Sequence, residues 1–216
     1  MVGRRKYEDG CAVAQALDVI GERWALLVVR ELVLGPKRFT DLLTGLQGAS
    51  SDVLTQRLRD LSEAGVVRRR RLGPPVGAWV YELTDWGAEL EPIILELAHW
   101  VHKSPLMRYD LPLGPDSLIL SLKTRFRPPA ADSASATIGL YFGDVHFRVR
   151  IDDGHLDISR GDADNSDLIL DTDQTTLLSL LNPDGSVDVA LSDGRLRLIG
   201  DKALAERFRS VFPVPG

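Results

Sequence analysis

The sequence predicts an α+β chain in two parts, and three observations carry that prediction. Through most of residues 12–102 apolar side chains recur at helical spacing, whereas beyond residue 116 short runs alternate apolar with polar and break at Gly or Asp. The charge balance changes between the same two regions: residues 1–104 hold 14 Lys plus Arg against 14 Asp plus Glu, and residues 105–216 hold 12 against 17. A length of 216 residues suffices for two domains of about 100 each. The expected division is 1–104, a linker at 105–116 around the Pro-rich "LPLGP", and 117–216.

In the first part, residues 12–20 and 23–34 read as two helices, the second ended by Gly35-Pro36. "RFTDLLTGL" gives a short helix with Phe39, Leu42, Leu43 and Leu46 inward, closed at Gly45 or Gly48. Ser50 or Ser51 can cap the next helix, which runs to about Ala64 with Gly65 in the left-handed terminal position. At 100° per residue Leu54, Leu58 and Leu61 share one face of it, and Asp52, Gln56, Arg59 and Glu63 point away, with Thr55 at the edge. "VVRRRRL" and "AWVYELT" around the turn "GPPVG" predict a hairpin, and a helix over residues 86–102 follows, with Pro92 as a candidate kink. Three helices, a fourth with a free polar face, a basic hairpin and a long helix make the element order of a winged helix-turn-helix.

That order points to DNA. Gln56 can pair bidentately with adenine, Arg59 with guanine or phosphate, and Ser50, Ser51 and Thr55 with bases or backbone. Asp52 would repel phosphate, so it either faces a cytosine amino group or holds Arg59. Residues 68–71 are four consecutive arginines on a strand, so alternate members face opposite sides; Arg69 and Arg71 are the pair expected to face DNA. Lys37 and Arg38, just before the short helix, are expected on the phosphate backbone with its N-terminal amides.

The segment from "CAVAQALDVIGERW" through "RFTDL", "LTQRLRDL" and "YELTDWG" resembles the HxlR family of bacterial winged-helix transcription regulators over about residues 11–102. The resemblance implies a homodimer joined through the N-terminal and last helices of this domain, bound to an inverted-repeat double-stranded DNA operator, with repression the expected sense. It also marks Cys11, because some such regulators sense oxidants or electrophiles through a cysteine at this place. The plain alternative is a small apolar residue packed before the first helix.

In the second part "DSLILSLKTRF", "ATIGLYF", "VHFRVRIDDG", "HLDISRG", "SDLILDTD", "SVDVALSDG" and "RLRLIGD" read as strands of a largely antiparallel sheet. Residues 173–181 and 201–212 read as helices. "FRVRIDDGHLDISRGDADNSDLILDTDQTTLLSLL" followed by "SDGRLRLIGDKALAERFRSVF" resembles a sterol carrier protein type two domain at about 117–213, which implies an apolar tunnel and an apolar or lipid-like effector. "LILSL", "IGLYF", "LILD" and "TTLLSLL" are apolar enough to line such a cavity or simply to fill a core.

Other classes find little support. One cysteine permits no internal disulfide, charged residues interrupt the N-terminal apolar stretch, and no apolar run approaches the roughly 20 residues of a membrane span, so a cytoplasmic protein is expected. His99 and His102 lack a further ligand and read as structural, and "DADNSDLILDTD" lacks the glycine and glutamate of a calcium loop, so no metal or other cofactor is expected. Trp24, Trp79, Trp86 and Trp100 are expected in the core or at the dimer surface of the first domain. With no nucleophile elbow, phosphate loop or ligand cluster, no enzyme is expected. The rival readings are a redox regulator whose C-terminal domain is structural, and a lipid carrier that uses its winged helix for protein contacts.

Overall fold

The computed structural model describes residues 6–74, 77–108, 111–128 and 135–213. Part of the hairpin turn at 73–77 and most of the loop at 127–135 therefore lie outside the described residues, as do Arg4 and Arg5. The chain divides into two compact units, one ending at Ile94 and one beginning at Leu95.

The first unit opens with α1 (Ala12–Ile20), α2 (Ala25–Val33), α3 (Phe39–Gly45) and α4 (Ser51–Glu63). Helix α2 begins two residues later than expected, because Trp24 takes a left-handed conformation (φ 77°) and turns the chain into it. Ser50, not Ser51, caps α4 by accepting from the Val53 amide at 3.3 Å, and Gly65 at φ +78° ends that helix, a conformation that costs glycine no Cβ clash. Leu54, Leu58 and Leu61 are buried against Val28, Val29, Leu32, Leu42 and Leu46, so the apolar stripe fixes α4 to α2 and α3 and leaves its polar face outward.

β1 (Val67–Arg71) and β2 (Trp79–Leu83) pair antiparallel, Val67 opposite Leu83 and Arg71 opposite Trp79. Lys37 adds a single-residue bridge to Tyr81, its amide donating to the Tyr81 carbonyl at 3.0 Å and its own carbonyl accepting at 2.8 Å. The helix expected over 86–102 is broken into α5 (Asp85–Ala88) and α6 (Leu90–His102). The break precedes Pro92 by one turn: Pro92 has no N–H for the Ala88 carbonyl, and its ring crowds that turn. Gly87 lies against the Val66 carbonyl so closely that a Cβ there would stand 2.0 Å from the oxygen, which explains the glycine of "TDWG".

The second unit takes up the C-terminal part of α6, then α7 (Pro115–Arg125), β3 (Ala136–Phe142), β4 (Val145–Asp152), β5 (His155–Arg160) and β6 (Leu168–Thr172). It closes with α8 (Gln174–Leu181), α9 (Val187–Ser192), β7 (Leu196–Gly200) and α10 (Lys202–Ser210). The sheet order is β5-β4-β3-β6-β7; β3 and β6 run parallel and the other neighbours antiparallel.

Two segments read as strands are helices. Residues 116–125 belong to α7, which Gly114 and Pro115 open in the manner of a helix N-terminus, with Phe126 as its C-cap. Leu118, Ile119, Leu120 and Leu122 are all buried, so the helix has no polar face to give it a 3.6-residue period. Residues 187–192 form α9, where Ser186 accepts from the Val189 amide at 3.3 Å and Val187 and Ala190, three apart, point inward. Its Val-x-Val-x-Leu alternation imitates a strand.

Candidate nucleic-acid interface

Helix α4 presents Ser51, Asp52, Thr55, Gln56 and Arg59 to solvent. Ser50 and Thr55 are partly used locally: Ser50 as the cap, and the Thr55 hydroxyl as donor to the Ser51 carbonyl at 2.8 Å. The Gln56 amide nitrogen donates to Asp60 Oδ1 at 2.8 Å, and Arg57 reaches the same carboxylate at 2.9 Å and Glu22 at 3.8 Å. Neither Arg59 nor Asp52 has an ion-pair partner among the described residues, so the expected Asp52–Arg59 pair does not form and the Arg59 guanidinium is open to an incoming anion.

The wing sorts its arginines by strand parity. Arg68 and Arg70 share one face and both donate from Nε to Glu82, at 2.8 and 2.5 Å. Burial of Glu82 works against its charge, but the bonds from Arg70 and Arg68 outweigh it and hold the carboxyl below its ordinary range. On the opposite face Arg69 stacks over Trp79, 4.6 Å from the ring centroid, and Arg71 donates to the Gly77 carbonyl at 3.0 Å. Among the described residues, two wing charges are thus largely compensated by a carboxylate and two are not. The positive edge of the wing is Arg69 and Arg71. Glu82 was not singled out in the sequence, although it sits opposite Arg68 in the hairpin register.

Lys37 departs from its expected role. Its ammonium is buried, with a side chain 7% exposed, and pairs with Glu31 Oε2 at 2.5 Å, so it braces α2 against the edge of β2 and cannot reach phosphate. Glu31 also takes Arg30 at 2.7 Å. Arg38, next in sequence, remains exposed at the start of α3.

Cys11 is the N-cap of α1 and is exposed. The thiol makes no capping hydrogen bond, but the Ala14 and Val13 amides of the first turn lie close enough to favour the thiolate and lower its pKa. Between α1 and the start of α6 lies a groove of about 490 Å³ lined by Ala12, Ala16, Val19, Ile20, Trp86 and Ile93, and Val13 on the same α1 helix is 66% exposed. Of the tryptophans, Trp24 packs partly into the core while Trp79, Trp86 and Trp100 are exposed. Trp79 serves the wing, a role outside the two expected.

In the second unit His99 Nε2 lies 2.8 Å from the Thr124 carbonyl, and His102 Nδ1 lies 2.6 Å from that of Ala98. No group of three or more metal-ligating side chains occurs among the described residues. The segments nominated for a tunnel are buried at Leu118, Leu140, Leu170 and Leu177; a cleft of about 310 Å³ beside α8 and α9 combines Leu180, Val189 and Ala190 with Thr176, Asn182 and Arg195. No described helix is long and apolar enough to cross a membrane.

Residues 19–107 match the model of the HxlR-like helix-turn-helix family. The uncharacterized HTH-type transcriptional regulator YvaP of Bacillus subtilis is 36% identical over 86 residues, 40% of this chain and 80% of that protein. This chain belongs to the HxlR-like helix-turn-helix family. YdeP of the same organism, likewise called an HTH-type transcriptional regulator, is 35% identical over 98 residues, 44% of this chain and 74% of that protein. Among solved structures, reduced YodB of B. subtilis is 28% identical with a TM-score of 0.40, covering 44% of this chain and 95% of its own. Outside the HxlR-like portion, residues 112–215 match the alkyl sulfatase C-terminal family, where the strand pattern had suggested a sterol carrier domain. A double mutant of the sec-alkyl sulfatase PisA1 is 20% identical with a TM-score of 0.43, covering 48% of this chain and 17% of its own.

Proposed function

We propose that this HxlR-like protein is a sequence-specific transcription regulator, acting as a homodimer on an inverted-repeat operator that it represses by occupancy. The observation that carries the reading is the exposed Gln56 and Arg59 face of α4, beside a wing whose Arg69 and Arg71 charges have no carboxylate partner among the described residues. In this reading α4 enters the major groove, Arg59 and Gln56 meet base edges, and the wing meets phosphate. Two copies of α4 about 34 Å apart would read successive major grooves. The relatives' names as transcriptional regulators support the same role, and the chain acts by binding and not by catalysis.

The second unit is the effector module. Its match to a family named for alkyl sulfatases supports an apolar-tailed ligand, bound so as to change the separation of the two α4 helices. Native mass spectrometry of protein purified from its host should find such a molecule bound; protein of bare chain mass, unresponsive to alkyl amphiphiles, would remove the effector claim.

Operator binding tests the central reading. Gln56→Ala and Arg59→Ala are each expected to weaken specific binding by about 5- to 150-fold. Operator affinity unchanged in both variants would overturn it. A second reading rests on Cys11, whose exposed thiol has a lowered pKa: oxidation or alkylation there would disturb α1.

A further inference from the structure

We propose that Asp60 is a positioning residue for base recognition: held by Arg57, it fixes the Gln56 side-chain amide so that α4 offers an adenine-selective edge. The inference rests on the reading of α4 as the base-contacting helix.

A glutamine amide has two N–H donors and one acceptor oxygen, and a half-turn about its last bond exchanges them. An ionised carboxylate only accepts. Asp60 lies one helical turn beyond Gln56 on the same side of α4, and its Oδ1 accepts from Gln56 Nε2 at 2.8 Å. The half-turn would set the Gln56 oxygen against that carboxylate, so the amide is held one way round.

Arg57 completes the arrangement. Its guanidinium takes Asp60 Oδ2 at 2.9 Å, and both side chains are only 14% exposed, so the pair is shielded from the solvent that screens ordinary surface pairs. Glu22, at 3.8 Å, places a second carboxylate on Arg57. With one N–H given to Asp60, Gln56 retains one donor and its oxygen side by side, the complement of adenine N7 and its N6 amino group in the major groove. Specificity at this position then depends on residues that need not touch DNA.

The test is selection of binding sites from random DNA by the full-length chain, followed by equilibrium binding to the selected operator and its single-base substitutions. Gln56→Ala should erase an adenine preference at one position of each half-site. Asp60→Ala should reduce that same preference by about tenfold, while affinity for random DNA is retained or raised.

Asp60→Asn, nearly identical in shape, should do the same. Arg57 can only donate, so it draws the single carbonyl oxygen of the new amide and turns the NH2 towards Gln56, which reverses the glutamine. An adenine preference intact in both Asp60 variants would overturn the inference, as would a Gln56→Ala variant with no altered base position. A native chain that selects no sequence at all would instead overturn the reading of α4.

Discussion

At the scale of single residues, two titrating groups make separable predictions. Cys11 is exposed, and its pKa is lowered by the Ala14 and Val13 amides at the start of α1 against a smaller opposing effect of burial. Its alkylation by iodoacetamide should therefore reach half-maximal rate at a lower pH in the folded chain than in the urea-unfolded chain, where an ordinary thiol titrates at about 8.5. Equal midpoints would deny the helix any role. His146 is shifted the opposite way: the Asp162 carboxylate favours its protonated ring most, burial opposes it next, and the Gly143 carbonyl adds a smaller favourable share. A pKa raised on folding contributes stability that is complete below the unfolded value of about 6.5 and is lost as pH rises through the folded value. The loop at 161–167 depends on it, since His146 stacks on Tyr141 at 3.9 Å and the Tyr141 hydroxyl accepts from the Ala163 amide at 3.3 Å. Asp162→Asn should move the His146 titration down, as followed by NMR; an unmoved titration would assign the shift elsewhere.

At the scale of elements, the wing shows how strand pairing assigns jobs to identical side chains. Strand alternation splits the four consecutive arginines into two faces, and the β1–β2 pairing gives each face its partners: Glu82 between Arg68 and Arg70, and Trp79 beneath Arg69. Arg69→Ala should therefore lower the slope of log affinity against log salt by about one and weaken specific and random DNA alike. Arg68→Ala should leave that slope nearly unchanged, because its charge is already spent on Glu82. Equal effects of the two substitutions would mean that the wing turns on DNA. Lys37 teaches the same lesson in reverse: a lysine beside Arg38 at a helix start reads as a phosphate ligand, and only its bridge to Tyr81 and the burial of Glu31 show it to be an internal strut.

At the scale of the whole molecule, the groove between α1 and the start of α6 has an apolar lining that includes Ile93, and Val13 and Leu17 of α1 are also exposed, each of the three at least 41%. A second copy of the chain is the proposed cover, since dimerisation through these helices also supplies the second α4 that a palindromic operator requires. Ile93→Asp should convert a dimer to a monomer in sedimentation equilibrium and reduce operator affinity far more than random-DNA affinity. A variant that remains dimeric would place the interface on another surface.

The sequence by itself determined the helix order of the first unit, the facing of α4 and most strands of the second, because each has a polar and an apolar side whose period survives in the chain. Leu54, Leu58 and Leu61 could be read inward and Gln56 and Arg59 outward from spacing alone. Only the tertiary structure decided α7, α9, the Lys37 strut, the partners of the wing arginines and the Gln56–Asp60–Arg57 network. The physical reasons differ by kind. The buried α7 has no amphipathic period, the short α9 carries an alternation that imitates a strand, and whether a charge is free depends on which carboxylate folding brings within hydrogen-bond reach.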